Sequence, residues 1–485
     1  MNLSKENLPS IQGKSIIKPV DAIFSLPEKV LQFGTGVLLR GLPDYFIDKA
    51  NRQGLFNGRI VVVKSTDSGD AGAFDRQDGL YTLCVRGIED GHKVEENIIC
   101  SAISRVLSAR DQWQEILALA RNPEMQIIIS NTTEVGIQLV EDDIRRQPPA
   151  SFPGKLLAFL YERYKAFGGS AESGMVIVPT ELIVDNGKKL AAIVKELTQM
   201  NALEANFLLW MEEHCHFCSS LVDRIVPGKP DAASLQQLTH DLGYTDDLLS
   251  ISEVYRLWAI EGSQKVKTIL TFAAADEGVI IEPDIEIYRE LKLRLLNGTH
   301  TLSCGLAYLA GFGTVKQAMD DAAFSAFVSD LMLKEIAPAI PYEVSLSAAR
   351  DFGLRVLDRF RNPHLQHQWL SITLQFSSKL KSRDIPVLLR HYQLHDTPPP
   401  HFALGFAAYL LFMKGGSHPV NDDKAGHYAE LWQKPETVVN TALKDQSLWG
   451  TDLTKLPGFE EAVKNNLDSL INKGATATLA ARSKK

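Results

Sequence analysis

Short runs of β-branched residues alternate with amphipathic stretches through the first half of the chain. The runs KVLQF (29–33), RIVVVKS (59–65), MQIIISN (125–131) and GMVIVPT (174–180) are almost continuously apolar, and the helix-like segment LRGLPDYFIDKAN lies between the first two. Strands that are buried on both faces have this composition, and strands that alternate with helices form parallel sheets covered by helices. The first half therefore predicts an α/β domain with a parallel sheet.

The β-rich runs stop near residue 285, and the second half has helical patterns such as EIYRELKLRLLNGTHTLSCGLAYLAGF (286–312). A chain of 485 residues is long enough for two or three domains. We therefore predict an α/β domain over 1–284 and a mainly α-helical domain over 285–485. The segment EGVIIEPD (277–284) has the composition of a short turn between them, and the low-complexity segment GATATLAARSKK at the end predicts a frayed tail.

Charge and composition exclude several classes of protein. With 51 Lys and Arg against 59 Asp and Glu, the net charge of -8 does not favour nucleic acid or anionic lipid. The longest apolar run, 402–413, is shorter than the ~20 residues that span a bilayer. Five scattered cysteines and an N-terminus without an apolar signal core predict a protein of the reducing cytoplasm. The oligomeric state stays open.

The first β-run ends in a G-x-G turn, where free N–H groups at a helix start can bind a pyrophosphate. Leu39 stands in place of the third glycine of the usual dinucleotide fingerprint, so the alternative is a tight strand-to-helix turn without a ligand. The position after a first strand favours the cofactor site. The candidate cofactor residues here are Phe33, Gly34, Thr35, Gly36, Val37, Leu38, Leu39 and Arg40.

Two later strand ends are further candidates for cofactor binding. Asp67 follows the second run, where an acidic residue binds the adenosine ribose of NAD, although Lys64 and Ser65 would tolerate the 2′-phosphate of NADP. The acidic residue at this strand end favours NAD over NADP. Asn131 follows the third run and is expected either over the nicotinamide ribose or as a helix cap in a surface turn.

The segment Lys292-Leu-Arg294-Leu-Leu-Asn297-Gly-Thr-His300 opens the helical half. At ~100° per residue, Asn297 lies about 140° and His300 about 80° around the helix from Lys292. The three side chains thus share one broad side. By spacing alone, a solvated helix face with a capping residue explains them better than a catalytic site does.

Three motifs together resemble the mannitol dehydrogenase family of polyol-specific long-chain dehydrogenases. They are K-x-R-L-L-N-x-x-H at 292–300, G-x-G-x-x-x-R at 34–40, and LVDRIVP at 221–227, and the likeness covers nearly the whole chain. The resemblance implies an N-terminal Rossmann-type domain, a helical C-terminal domain, NAD as the hydride carrier and no metal. From the residues themselves, we expect Asp223 and Arg224 to form an internal ion pair near the cofactor rather than to act as catalysts, because a buried acid next to an arginine stays ionised.

The resemblance further implies that Lys292 is the general acid/base, that Asn297 polarises the reacting oxygen and that His300 positions substrate hydroxyls. Ketone reduction needs a proton donor at oxygen, and a lysine serves near neutral pH when burial or a nearby cation lowers its pKa from ~10.4. Arg294 is our candidate for that cation. An asparagine amide can stabilise the developing alkoxide in the manner of an oxyanion hole.

Other segments are similar to the branch of this family that interconverts the hexuronate D-tagaturonate and the aldonate D-altronate: QFGTGVLLR, VVVKSTDSGDAGAFDRQDGLYTL and VPTELIVDNG. The alternatives are reduction of fructuronate, oxidation of mannitol or another polyol, and dinucleotide binding without turnover.

The substrate region departs from the mannitol dehydrogenases at two positions. Thr180-Glu181-Leu182 replaces their C-D-N motif, and Ser371 replaces an arginine. A uronate carboxylate needs a cation. Lys379 and Arg383 are the candidates, with a solvated basic turn as the alternative for at least one of them.

The segment EEHCHFCSS contains His214, Cys215, His216 and Cys218, which are possible zinc ligands. Four ligands within five residues are cramped for one tetrahedral ion, and no second ligand pair follows at a suitable spacing. We expect a β-strand here that includes Phe217, and no metal.

Overall fold

The computed structural model describes residues 1–13, 15–65, 71–132 and 136–482. The chain divides into two compact units: unit 1 comprises Met1–Arg86 and Lys93–Ile285, and unit 2 comprises Gly87–His92 and Glu286–Lys485. The strands are β1 (Ile16–Ile17), β2 (Glu28–Phe33), β3 (Arg59–Lys64), β4 (Tyr81–Glu89), β5 (His92–Cys100), β6 (Ile103–Ser108), β7 (Ile127–Ser130), β8 (Val176–Pro179), β9 (His216–Phe217), β10 (Ser220–Asp223), β11 (Ser250–Glu253), β12 (Leu257–Glu261) and β13 (Val279–Glu282).

The four apolar runs form the middle of a six-stranded sheet with the order β6-β3-β2-β7-β8-β9, in which every pair is parallel. Val30 and Val62 enter a core with Phe46 and Trp258 on one face, while Leu31 enters the core on the other face. Both faces are buried, which explains why these strands are continuously apolar. The Rossmann-type sheet that the sequence predicts is confirmed.

Unit 1 also contains two smaller sheets that the sequence does not predict, with the orders β1-β5-β4-β11 and β10-β12-β13. The prediction of a turn over 277–284 is wrong, because β13 pairs parallel with β12 there. Its side chains Val279 and Ile281 are buried in the core that contains Trp258. The flanking glycine and proline residues are typical of a turn. Pairing with another strand and burial of side chains in the core make the segment a strand instead.

The helices of unit 1 are α1 (Val37–Gly41), α2 (Pro43–Arg52), α3 (Ala71–Arg76), α4 (Trp113–Ala118), α5 (Phe152–Phe167), α6 (Asn186–Met200), α7 (Ala205–His214), α8 (Ala232–Leu242) and α9 (Gln264–Ile269). The single helix expected over 39–51 is broken at Leu42, whose φ of -135° and ψ of -78° are not helical. Pro43 begins α2, a position where its missing N–H costs nothing.

Unit 2 is mainly helical, as predicted. Its helices are α10 (Glu286–Leu291), α11 (Thr299–Leu309), α12 (Val315–Met319), α13 (Ala322–Asp330), α14 (Leu346–Phe360), α15 (Trp369–Ile372), α16 (Phe376–Arg383), α17 (Ile385–Leu394), α18 (Pro400–Met413), α19 (Ala425–Leu431), α20 (Val438–Lys444), α21 (Gln446–Trp449), α22 (Phe459–Lys473) and α23 (Ala475–Arg482). A π-helical segment, Lys292–Gly298, joins α10 to α11, and another spans Leu331–Ile336.

Two glycines let α11 and α18 pack closely in unit 2. A Cβ atom on Gly405 would lie 2.5 Å from the Leu302 carbonyl oxygen, and one on Gly305 would lie 3.2 Å from that of Ala408. Within the described ranges, no helix combines the length and apolar character needed to cross a membrane.

The prediction of a frayed tail is wrong for the residues that form α23. The buried Leu479 and the 2.7 Å bond from Arg482 Nη2 to Asn466 Oδ1 hold this helix against α22.

Candidate active site

The G-x-G turn leaves β2 through a backbone conformation that favours glycine. Gly34 has a φ of +127°, its N–H donates to the Val63 carbonyl over 3.1 Å, and a Cβ here would lie 2.8 Å from the Asn131 oxygen. Gly36 precedes α1, and no atom of the described residues lies within 4 Å of the place that its Cβ would occupy. The backbone at Gly36 is therefore accessible to a large ligand, as a dinucleotide site requires.

The residues around this turn differ in their exposure to solvent. Gly36 is exposed, Thr35, Val37 and Leu38 are half-buried, and Phe33 and Leu39 lie in the core. Arg40 is buried, donating from Nη1 to the Thr35 carbonyl over 3.1 Å and from Nη2 to Ser250 Oγ over 3.1 Å. Arg40 thus holds the turn from inside the protein.

The LVDRIVP motif packs directly on α1. Arg224 donates to the carbonyls of Gly41 over 2.6 Å and Glu253 over 2.9 Å, and its guanidinium lies 4.5 Å from the centre of the Tyr45 ring. Burial lowers the pKa of Arg224 to about 10. Asp223 is buried at the end of β10. The motif therefore fixes the helix that follows the glycine turn.

Polar side chains connect the carboxyl ends of β2, β7 and β8. The Asn131 N–H donates to the Phe33 carbonyl over 3.1 Å, and its amide donates to the Thr180 carbonyl over 3.0 Å. The buried Glu181 carboxylate accepts from the Thr132 N–H over 2.9 Å and from Ser130 Oγ over 3.2 Å. Glu181, which the sequence showed only as a departure from C-D-N, therefore orders this edge of the sheet. The Asp67 candidate lies outside the described residues.

In unit 2, Lys292 and Asn297 lie on the π-helical segment, and both are half-buried. Because π-helical hydrogen bonds run from residue i to i+5, these two residues are about one turn apart. The 140° separation expected for a regular α-helix is therefore wrong. The Asn297 side-chain amide has no hydrogen bond to any described residue, while its main-chain carbonyl accepts from Thr301 Oγ1 over 2.8 Å.

His300 is enclosed by aromatic rings and is 8% exposed. Its ring stacks on Phe360 at 4.1 Å between centroids with an 8° interplanar angle, and it meets Trp369 edge-on at 5.8 Å. Burial, followed by nearby positive charge, holds the pKa of His300 well below its ordinary value. Its Nε2 atom is buried without a hydrogen-bond partner among the described residues. A neutral imidazole is thus held in place by the aromatic rings around it.

Arg294, the candidate cation beside Lys292, is buried and pairs with an acidic residue. Its Nε donates to Glu290 Oε2 over 2.9 Å, and its Nη1 donates to the carbonyls of Ser382 and Arg383, each over 2.7 Å. The ion pair with Glu290 opposes its charge. Arg294 therefore connects the π-helical segment to the end of α16.

Lys379 and Arg383 lie one turn apart on α16, a helix where the sequence allowed a solvated turn. Both side chains are half-buried. Arg383 Nη1 donates to Thr301 Oγ1 over 3.1 Å, and Lys379 Nζ donates to the Ile372 carbonyl over 3.1 Å. Burial lowers the pKa of both side chains. The fold thus brings α16 against the helix that carries His300.

The Cys/His segment forms strand β9 from His216 and Phe217, beside the buried Cys215 and Cys218. Burial raises the pKa of both thiols to about 12. Among the described residues, no group of three or more His, Cys, Asp or Glu side chains is placed to bind a metal.

The fold and the glycine turn define a two-unit protein of the Rossmann class, with a helical second unit. Residues 28–272 match the mannitol dehydrogenase Rossmann domain, and residues 284–471 match the mannitol dehydrogenase C-terminal domain. The chain belongs to the mannitol dehydrogenase family, which confirms the resemblance seen in its motifs.

Several relatives that match along nearly their whole length are altronate oxidoreductases. The chain is 39% identical to altronate oxidoreductase of Yersinia enterocolitica over 95% of this chain and 98% of the relative. It is 38% identical to altronate oxidoreductase of Bacillus subtilis over 93% and 95%.

Solved structures support the fold. A Pseudomonas fluorescens mannitol 2-dehydrogenase, solved with NAD and D-mannitol, matches with a TM-score of 0.65 at 23% identity over all of both chains. A D-sorbitol dehydrogenase matches with a TM-score of 0.79 at 21% identity over 99% of this chain and 100% of that one.

Proposed function

We propose that this protein is an NAD-dependent oxidoreductase that interconverts D-tagaturonate and D-altronate. The observation that carries the proposal is the 36–39% identity, over more than nine-tenths of the chain, to relatives named altronate oxidoreductase. The G-x-G turn and the Lys292, Asn297 and His300 constellation support it from the chain itself.

Residues 1–284 are proposed as the cofactor domain. The described residues leave space at Gly36 for a cofactor whose phosphates approach the backbone. The half-buried Thr35 is also compatible with a cofactor at this turn. Asn131, Asp67 and Asp223 complete the proposed NAD contacts. When bound, NADH supplies the hydride.

Residues 285–485 are proposed as the domain that acts on the substrate. Lys292 donates a proton to the ketone oxygen during reduction and accepts it back during oxidation. The Asn297 amide, which has no partner among the described residues, donates to the same oxygen as negative charge develops. His300, held in place by Phe360, positions the substrate hydroxyls.

The substrate carboxylate is assigned to α16, where Lys379 and Arg383 supply positive charge. We place the reaction in the cytoplasm, for which five free, buried cysteines are the support.

Steady-state reduction of D-tagaturonate, D-fructuronate and D-fructose with NADH tests the proposal. We expect the highest kcat/KM with tagaturonate. Faster reduction of fructuronate or fructose would move the assignment to another member of the family. NADH binding without reduction of any of the three would indicate a binding protein.

A further inference from the structure

A buried carboxylate lies at the carboxyl end of the six-stranded sheet in unit 1. Glu181 follows β8 and is 3% exposed. Its Oε1 accepts from the N–H and the Oγ1 of Thr132 over 2.9 Å and 3.0 Å, and its Oε2 accepts from Ser130 Oγ over 3.2 Å. All three contacts come from donors, which is the environment that suits an ionised carboxylate.

Hydrogen bonds also hold the backbone that carries Glu181. The buried Asn186 donates from Nδ2 to the carbonyls of Pro179 and Glu181, each over 3.0 Å. The Thr180 N–H donates to the Ser130 carbonyl over 2.8 Å. The carboxylate is therefore held between the ends of β7 and β8.

The partners of this carboxylate are neutral. In the part of the chain that the structure describes, no Lys, Arg or His side chain forms an ion pair with Glu181. Hydrogen bonds from neutral donors stabilise a buried charge without cancelling it, and salt screens a buried charge only weakly. Glu181 therefore favours a positively charged group over a neutral one at this end of the sheet.

The strand order relates Glu181 to the proposed cofactor site. In a sheet of this class, the pyrophosphate lies at the glycine turn after the first strand, here β2, and the adenosine ribose lies at the end of the next strand, here β3. Because β3 and β7 flank β2 on opposite sides, the nicotinamide half of the cofactor extends over β7 and β8. Glu181 lies at that end.

We propose that the Glu181 carboxylate stabilises the positive charge of the oxidised nicotinamide ring and so favours binding of NAD⁺ over NADH. This inference rests on the proposed function, which places the cofactor at this edge of the sheet. The oxidised ring carries one positive charge, and the reduced ring carries none. Hydride transfer to the substrate leaves the ring positive, so Glu181 also stabilises the charge that ketone reduction produces on the cofactor.

The test compares Glu181→Gln with Glu196→Gln, the same change at an exposed position on α6. Glutamine keeps the length of the side chain, and its amide oxygen can still accept from the Thr132 N–H. Calorimetry measures the dissociation constants for NAD⁺, for NADH and for ADP-ribose, which lacks the nicotinamide ring.

For Glu181→Gln we expect the dissociation constant for NAD⁺ to rise ~10-fold relative to that for NADH, as when one charge interaction equivalent to a pKa unit is removed. The dissociation constant for ADP-ribose should stay near the wild-type value. Glu196→Gln should match the wild type with all three ligands.

Two more variants separate charge from shape. Glu181→Asp keeps the charge and should keep the wild-type preference, whereas Glu181→Met, which is neutral and of similar length, should shift it as Glu181→Gln does. An unchanged preference, or equal weakening of NAD⁺ and NADH, in a neutral variant that still binds ADP-ribose would overturn this inference alone. Loss of ADP-ribose binding in both neutral variants would also overturn it, because Glu181 would then maintain the fold. Failure of the wild-type protein to bind either cofactor would instead contradict the proposed function.

Discussion

A Cβ atom built on Gly298 would lie 2.6 Å from Oδ1 of Asp384. Gly298 ends the π-helical segment immediately after Asn297, and Asp384 is fully buried just before α17. Neither carboxyl oxygen of Asp384 has a hydrogen-bond partner among the described residues. The aspartate thus occupies the space that a side chain at position 298 would need.

Gly298→Ala should therefore lower the free energy of unfolding by ~1–3 kcal/mol, as overpacking of a filled interior does. It should also reduce kcat, because Asn297 adjoins the displaced backbone. Urea unfolding and steady-state assays check both effects. In the double variant with Asp384→Ala, the two losses should be less than additive. Strict additivity would show that the two side chains do not compete for this space.

Lys292→Ala should reduce kcat by ~10²–10⁴-fold, since it removes the proposed proton donor. The dissociation constant for NADH should stay near the wild-type value, which fluorescence titration measures. Lys464→Ala, at an exposed position on α22, is the matched control and should retain full activity. Equal losses of NADH binding and turnover would contradict the assigned role.

The two glycines of the G-x-G turn should respond differently to substitution. Gly34→Ala strains a backbone at φ +127° and places a Cβ against the Asn131 oxygen, so the thermal midpoint should fall, with a cost of ~1–3 kcal/mol. Gly36→Val fills open space and should leave the midpoint unchanged while raising the NADH dissociation constant ~10-fold or more. Unchanged NADH affinity in Gly36→Val would remove the turn from the cofactor site.

Asp44→Asn should make the protein more stable at high pH. Burial raises the pKa of Asp44 to about 8. Between the ordinary carboxyl pKa and this value, the folded protein keeps a proton that the unfolded chain releases, so stability falls as pH rises. The penalty is complete above the folded pKa and has an upper limit of ~6 kcal/mol. Asparagine carries no such penalty.

Urea unfolding at pH 6 and pH 8.5 measures this effect. The gain from Asp44→Asn should be larger at pH 8.5, whereas Asp468→Asn, at an exposed position, should change neither value. A wild-type pH dependence in Asp44→Asn would show that Asp44 ionises normally in the folded state.

Local sequence pattern was sufficient for the central sheet and for part of the site. The strands β2, β3, β7 and β8 are continuous apolar runs because both of their faces are buried, a property visible in each run by itself. The glycine turn was also predictable, because its conformation depends on a few adjacent residues. The spacing of Lys292, Asn297 and His300 indicated a shared helix side.

Contacts between distant residues were not predictable from such patterns. The strand β13 forms where the composition indicated a turn, because it pairs with β12 and its side chains pack into the core. The helix α23 forms where low complexity indicated fraying, because the side chain of Leu479 is buried against the rest of the protein. The aromatic enclosure of His300 by Phe360 and Trp369 joins positions 60 to 69 residues away, and no spacing rule connects them.

The sequence by itself determined the parallel sheet, the helical second half and the family, and it indicated candidate residues for the chemistry, because these depend on local periodicity and on short motifs. The tertiary structure decided the surroundings of those candidates. It wound Lys292 and Asn297 into a π-helical turn, joined Arg294 to the carbonyls of Ser382 and Arg383, and brought α16 against Thr301. These outcomes depend on packing and charge pairing between segments far apart in the chain, where free energy is gained only after folding brings the segments together.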